Sequence, residues 1–101
     1  MTEIVLPRLA GTRDALRQLL HDQRVGDDLG GRPAVVFCRD LVSGSPSFAD
    51  ELVREVLEVR GARELVLVGA PDLFWDRVAQ AATRRGRAGA VRRMSAAEVV
   101  V

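Results

Sequence analysis

The chain has 101 residues, close to half of them hydrophobic, and its 15 basic side chains against 14 acidic ones leave a formal net charge of +1. That length suits a single domain with one core. The near-neutral balance, with no aromatic residues interleaved among the cations, argues against a nucleic-acid surface, and the longest apolar runs, Ala34–Cys38 and Leu65–Ala70, are far too short for a membrane span.

Every basic residue is arginine, while lysine, asparagine and tyrosine are absent and Ile4 is the sole isoleucine. The codons of the missing residues are rich in A and T, which points to a GC-rich bacterial genome. The arginine cluster Arg84, Arg85, Arg87, Arg92 and Arg93 then has a compositional origin. The start, Met1-Thr2-Glu3, lacks the basic and apolar regions of a signal peptide, and one cysteine suits a reducing compartment. The expected location is the cytoplasm.

In chain order, Glu3–Leu6 reads as a short strand stopped by Pro7. Thr12 is a good N-cap for a helix whose apolar stripe is Ala15, Leu16, Leu19 and Leu20, ending near Arg24–Gly26. Gly26–Pro33 carries the residues of a loop. Ala34–Cys38 is apolar without alternation, the pattern of a strand covered on both faces. Ser43-Gly44-Ser45-Pro46 reads as a polar turn into the strongest helix signal, with Phe48, Ala49, Leu52, Val53, Val56 and Leu57 at helical spacing. Ser47 stands as its N-cap, with Asp50 three residues on as in a capping box, and Asp50 can pair with Arg54 one turn later. Arg60-Gly61 ends that helix, and Leu65–Val68 is a second strand of the buried type. Pro71 opens a third helix with Phe74, Val78, Ala81 and Ala82 inward, stopped at Arg84-Arg85-Gly86. Ala88–Arg92 is a last strand, and Ser95 caps a short terminal helix. The alternation predicts an α/β single domain: a four-stranded, mostly parallel sheet with alternating helices and the strands at Val35–Phe37 and Leu65–Val68 central.

Catalytic and cofactor motifs are hard to find. Cys38 ends an apolar run, where an inert thiol is the usual finding, and the position six residues on, which a thiolate phosphatase loop would fill with arginine, holds Gly44. His21 is the only histidine, so no zinc cluster is expected. Ser47 lies outside a Gly-x-Ser-x-Gly elbow. Gly26, Gly30 and Gly31 precede a strand instead of following one, so they are not a dinucleotide fingerprint. No catalytic, cofactor-binding or metal-binding residue is assigned.

The strand Val35-Val36-Phe37, the turn Asp40-Leu41-Val42 and the helix start Ser45-Pro46-Ser47-Phe48-Ala49-Asp50-Glu51 together resemble the STAS-like family, relatives of the STAS domain of bacterial anti-sigma factor antagonists. The Thr12-Arg13 helix start and the Ser95-capped tail are similar to that family as well. The resemblance implies a non-enzymatic module that binds a protein partner, a kinase-like ATPase or anti-sigma factor, at the loop and helix start after the central strand. It places the family's phosphorylated serine on Ser47, although Ser45, Pro46 and Phe48 depart from the family's motif around it. Partner contacts are expected at Ser43, Ser45, Ser47, Phe48, Asp50, Glu51 and Trp75, with Ser45 and Glu51 as exposed positions. Two other functions fit the same residues. One is a small enzyme or ligand-binding domain using Ser43–Ser47 as an anion nest; the other is a structural subunit assembling through the apolar terminus Val99-Val100-Val101, which is expected to pack on the domain or on a second copy.

Overall fold

A computed structural model describes residues 2–98. Four strands, β1 (Thr2–Val5), β3 (Ala34–Phe37), β5 (Leu65–Val68) and β6 (Val91–Met94), form one sheet in the order β1-β3-β5-β6, and every pairing is parallel. Two further short strands, β2 (Leu9–Ala10) and β4 (Ser43–Gly44), pair with each other as a separate parallel ledge. The helices are α1 (Arg13–Asp22), α2 (Pro46–Val53) and α3 (Asp72–Arg84), with single 3-10 turns at Ala88–Ala90 and Ala96–Glu98. The expected α/β domain with β3 and β5 central is therefore present. Among the described residues no helix is long and apolar enough to cross a membrane.

The strand order decides where the helices lie. Each long strand pairs with the next long strand in the chain, and right-handed crossovers in that order place every helix on the same side of the sheet. The burial pattern agrees. Ile4, Val36 and Leu67 are fully buried and share one core with Leu16 and Leu20 of α1, Phe48 and Leu52 of α2, and Phe74 and Val78 of α3. Their strand neighbours Val35, Phe37, Val66 and Val68 point the other way and do not belong to that core. The reading as strands covered on both faces holds for β5, where Val66 and Val68 are only 3% and 5% exposed, and is corrected for β3, whose Val35 and Phe37 are half-buried. Both faces of these strands are apolar, so sequence alone offers no alternation to reveal the difference.

Local chemistry explains the element ends. Thr12 Oγ1 accepts from the Ala15 amide at 3.0 Å and starts α1. α1 stops at Gln23, and Arg24 takes a positive φ of 56°. The Gln23 side chain then turns back to β1, donating to the Val5 carbonyl at 2.7 Å and accepting from the Val5 amide at 2.9 Å. It therefore satisfies backbone groups of an edge strand that would otherwise offer itself to another chain. After Val53 the second helix widens into a π turn, Arg54–Val59, which buries Glu55, Val56 and Leu57 in succession. The last strand begins at Val91, three residues beyond its expected start, because Ala88–Ala90 makes a 3-10 turn. The expected packing of Val99–Val101 lies outside the described residues.

Candidate functional site

The ledge is tied to the body of the protein by bonds that leave its outer surface free. The Val42 amide donates to the Arg8 carbonyl at 2.8 Å, and the Ser45 amide donates to the Ala10 carbonyl at 2.8 Å. Ser45 Oγ donates to the Gly11 carbonyl at 2.7 Å, and Arg77 of α3 donates to the Gly44 carbonyl at 2.6 Å. Gly44 itself lies against the Phe74 ring. On this fixed base Leu9 is 70% exposed and Val42 63% exposed. Single exposed aliphatics are ordinary; here Leu9 lies in β2 opposite Ser43, and Val42 stands one residue before β4. Ser43 is exposed beside them.

The chain then enters α2, and here the structure corrects the expected cap. Ser45 is the N-cap: its hydroxyl accepts from the Phe48 amide at 3.0 Å, and Pro46 takes the first helical position. Ser47 is the second residue of the helix and exposed. No capping box forms, because the third helical residue after the Ser45 cap is Phe48, which has no side-chain acceptor. Ser45→Ala is expected to lower stability by about 1 kcal/mol, whereas Ser47→Ala stays within about 0.5 kcal/mol of wild type. Urea denaturation of the two variants checks this; equal losses would return the cap to Ser47.

Beneath the first turn sits an ion-pair network that also differs from expectation. The expected Asp50–Arg54 pair is absent. Arg54 instead grips Glu51, its Nε and Nη2 donating at 3.1 and 2.8 Å. Glu51 also accepts from Arg17 at 2.8 Å and Arg13 at 3.2 Å. Asp50 accepts from Arg85 Nε and Nη2 at 2.9 and 2.8 Å and from Arg13 at 2.8 Å. Arg17 is bonded to Asp14 as well, and Arg85 to Glu58. The Arg85 guanidinium chiefly, with Arg13, holds the Asp50 carboxyl well below the usual carboxylate range against an opposing burial effect. Bonds from Arg54, then Arg17 and Arg13, bring the Glu51 carboxyl down to about 2. The network joins α1, α2 and the end of α3, and it neutralises the negative charge of this turn.

Outside the network lies a shallow cleft of about 210 Å³, lined by Arg13, Pro46, Ser47, Asp50 and Arg84. Of the expected contact residues, Ser47 and Asp50 line this cleft, and Ser43 is exposed on the ledge. Glu51 is only 1% exposed and Phe48 is fully buried, so neither can touch a partner directly. Phe48 packs against Phe74 with ring centroids 6.3 Å apart. Trp75 is half-buried against the core and does not line the cleft. The residues that sequence reading missed are Leu9, Val42, Arg13 and Arg84. A two-residue strand carries no periodicity, and the arginines were discounted because arginine is abundant throughout the chain.

The nucleophile candidates are not part of this surface. Cys38 is buried, and desolvation pushes its thiol up to about 12, where it is protonated and inert. His21 is exposed at the end of α1. Among the described residues no group of three His, Cys, Asp or Glu side chains could hold a metal ion. Of the C-terminal arginines, Arg85, Arg92 and Arg93 are paired with Asp50 and Glu58, with Glu64, and with Asp72 respectively. Compared with family models, with curated proteins and with solved structures, the chain gave no match.

Proposed function

We propose that this protein is a regulatory protein-binding module of the STAS-like type, docking a kinase-like or anti-sigma partner over the β2/β4 ledge and the first turn of α2. The observation that carries the reading is the exposure of Leu9 on the hydrogen-bonded ledge and of Val42 just before it, on the segment that runs through Ser43 and Ser45 to exposed Ser47. Apolar anchors on a rigid base, rimmed by polar groups, suit a protein partner better than a small substrate. The ledge precedes α2 and follows the C-terminal end of β3, the end where open parallel sheets usually place their sites.

Phosphorylation of Ser47 would be the regulatory step. Three features support it. Ser47 is exposed and does not cap the helix. The two acidic side chains that follow, Asp50 and Glu51, are already neutralised by arginines. Arg13 and Arg84 share the cleft with Ser47, and a phosphate at a helix N-terminus beside arginines is electrostatically favoured.

The test uses capture from the source organism with wild type, Leu9→Asp and Val42→Asp as bait. Wild type is expected to retain a specific partner that both variants lose, with all three melting alike because exposed substitutions change stability by only about 0.5 kcal/mol. Incubation of that partner with ATP is expected to add one phosphate to wild type and none to Ser47→Ala. A partner retained by both ledge variants would place the docking surface elsewhere, and labelling that persists in Ser47→Ala would remove the switch.

A further inference from the structure

The four-stranded sheet ends in two edges that differ chemically. Backbone groups along a parallel strand alternate between its two sides. On β1 the Leu6 amide donates inward to the Phe37 carbonyl at 3.0 Å, so the groups of Val5 face outward, where the Gln23 side chain takes both of them. On β6 the Gly69 amide donates to the Met94 carbonyl at 2.9 Å, so Met94 faces β5 and its neighbour Arg93 turns its N–H and C=O out of the sheet. Those two groups have no hydrogen-bond partner among the described residues. Arg92 and Arg93 are exposed, and they flank this stretch on opposite faces, Arg92 in the row of Val66 and Arg93 in the row of Leu67. Arg92 reaches Glu64, and Arg93 reaches Asp72 and the Ala70 carbonyl, each through Nη2 alone. Their other guanidinium donors have no partner among the described residues, and Arg85 shows that one guanidinium of this chain can serve two acids. The charge leading to the edge is one-sided too. Between Asp76 and Glu98 the chain has no acidic residue but carries Arg77, Arg84, Arg85, Arg87, Arg92 and Arg93.

We infer that the β6 edge is a second interaction surface, which takes an extended segment of another protein as an added strand, with two adjacent acidic residues of that segment facing Arg92 and Arg93. Strand addition supplies the partners that the Arg93 backbone lacks. Successive side chains of the added strand leave opposite faces, so neighbouring acids meet both arginines whichever way the segment runs. A second copy of the chain does not fit. Two β6 strands paired antiparallel about a two-fold axis, in the registers that engage most of the strand, set Arg92 against Arg92 or Arg93 against Arg93. Like charges directly opposite each other are destabilising. The other edge of a second copy is closed at Val5 by Gln23. The arginines thus hold copies of this chain apart, as charges on edge strands do, and admit an acidic strand.

The probe is a short synthetic peptide with Asp-Glu at the centre of alternating Thr and Val residues, titrated into the full chain. At saturation it is expected to slow hydrogen exchange of the Arg93 amide by about tenfold or more, because that group gains an acceptor. Replacing Asp-Glu with Asn-Gln should weaken binding by about tenfold or more, and so should Arg92→Glu in the protein. N-methylation of alternate peptide residues keeps the charges and removes backbone donors. In the frame that faces β6 it should weaken binding by about fivefold or more, and in the other frame it should not. The peptide variants keep the test independent of how Arg92→Glu folds. A peptide that binds while the Arg93 amide exchanges as before, or that binds equally well in both methylated frames, is held by charge alone and overturns the inference. Absence of binding at millimolar peptide overturns it equally. A single-stranded oligonucleotide that binds the same arginines more tightly than the peptide would give the edge to nucleic acid instead.

Discussion

Gly44→Ala is expected to destabilise the protein by about 2–3 kcal/mol, far more than a glycine-to-alanine change in an ordinary turn. A Cβ at that position would lie 2.4 Å from Phe74 Cδ1 and 2.6 Å from Cε1. Phe74 cannot swing aside freely, since it is buried and packed on Phe48 with its ring tilted by 52°. Nor can the backbone lift easily, because Arg77 holds the Gly44 carbonyl and Gly44 is paired with Ala10. The measurement is a double-mutant cycle by urea denaturation. Phe74→Ala alone should cost about 3–5 kcal/mol through the cavity it leaves. In the double variant the new methyl occupies part of that cavity, so the combined loss should fall at least 1 kcal/mol short of the sum. Additive losses, or a Gly44→Ala cost under about 0.5 kcal/mol, would show that the close approach does not determine this residue.

Glu51→Gln should cost about 2 kcal/mol at neutral pH, and the cost should disappear in acid. The side chain keeps its shape but loses the charge that three arginines address. The carboxyl has a folded-state value of about 2 against an ordinary 4.5. Each unit of such a difference corresponds to about 1.4 kcal/mol, reduced here because the arginines are part-exposed and screened by solvent. A carboxyl with a depressed folded value contributes fully above its unfolded value and loses that contribution as pH falls through the folded one. Wild type and Glu51→Gln should therefore differ most above about pH 5 and converge towards pH 2. Denaturation curves at several pH values test this directly. A difference that is unchanged at pH 2.5, or absent at pH 7, would mean that packing and not charge is what Glu51 supplies.

Both residues show where the sequence could be read and where it could not. β5 falls on Leu65–Val68, and β3 ends one residue before its expected end, because unbroken apolar runs bounded by Pro33, Gly61 and Gly69 permit little else. The cap was misassigned by two residues, yet the signal was present: proline favours the first helical position, so Pro46 points to Ser45 as the cap. Glu51 read as an exposed contact because a single acidic residue beside a leucine carries no mark of its distant partners. Arg13 and Arg17 precede it by more than thirty residues, and tertiary packing alone brings them there. Gly44 read as a turn residue for the same reason, since the ring it must clear lies on another helix. The ledge was invisible because parallel pairing of two-residue strands depends on a fold already formed.

The order of the strands bears on how the chain reaches this structure. In many open α/β sheets a later strand must enter between, or beside, strands laid down much earlier, so the middle of the sheet waits for distant parts of the chain. Here each long strand is placed against the one made just before it, with a single helix closing over the pair. Loop closure is then an entropic cost met once per βα unit, and no long strand waits for one laid down more than one unit earlier. A chain emerging from the ribosome can lay down β1, β3, β5 and β6 in the order of synthesis, each new strand adding to the edge made just before it while β1 stays the other edge.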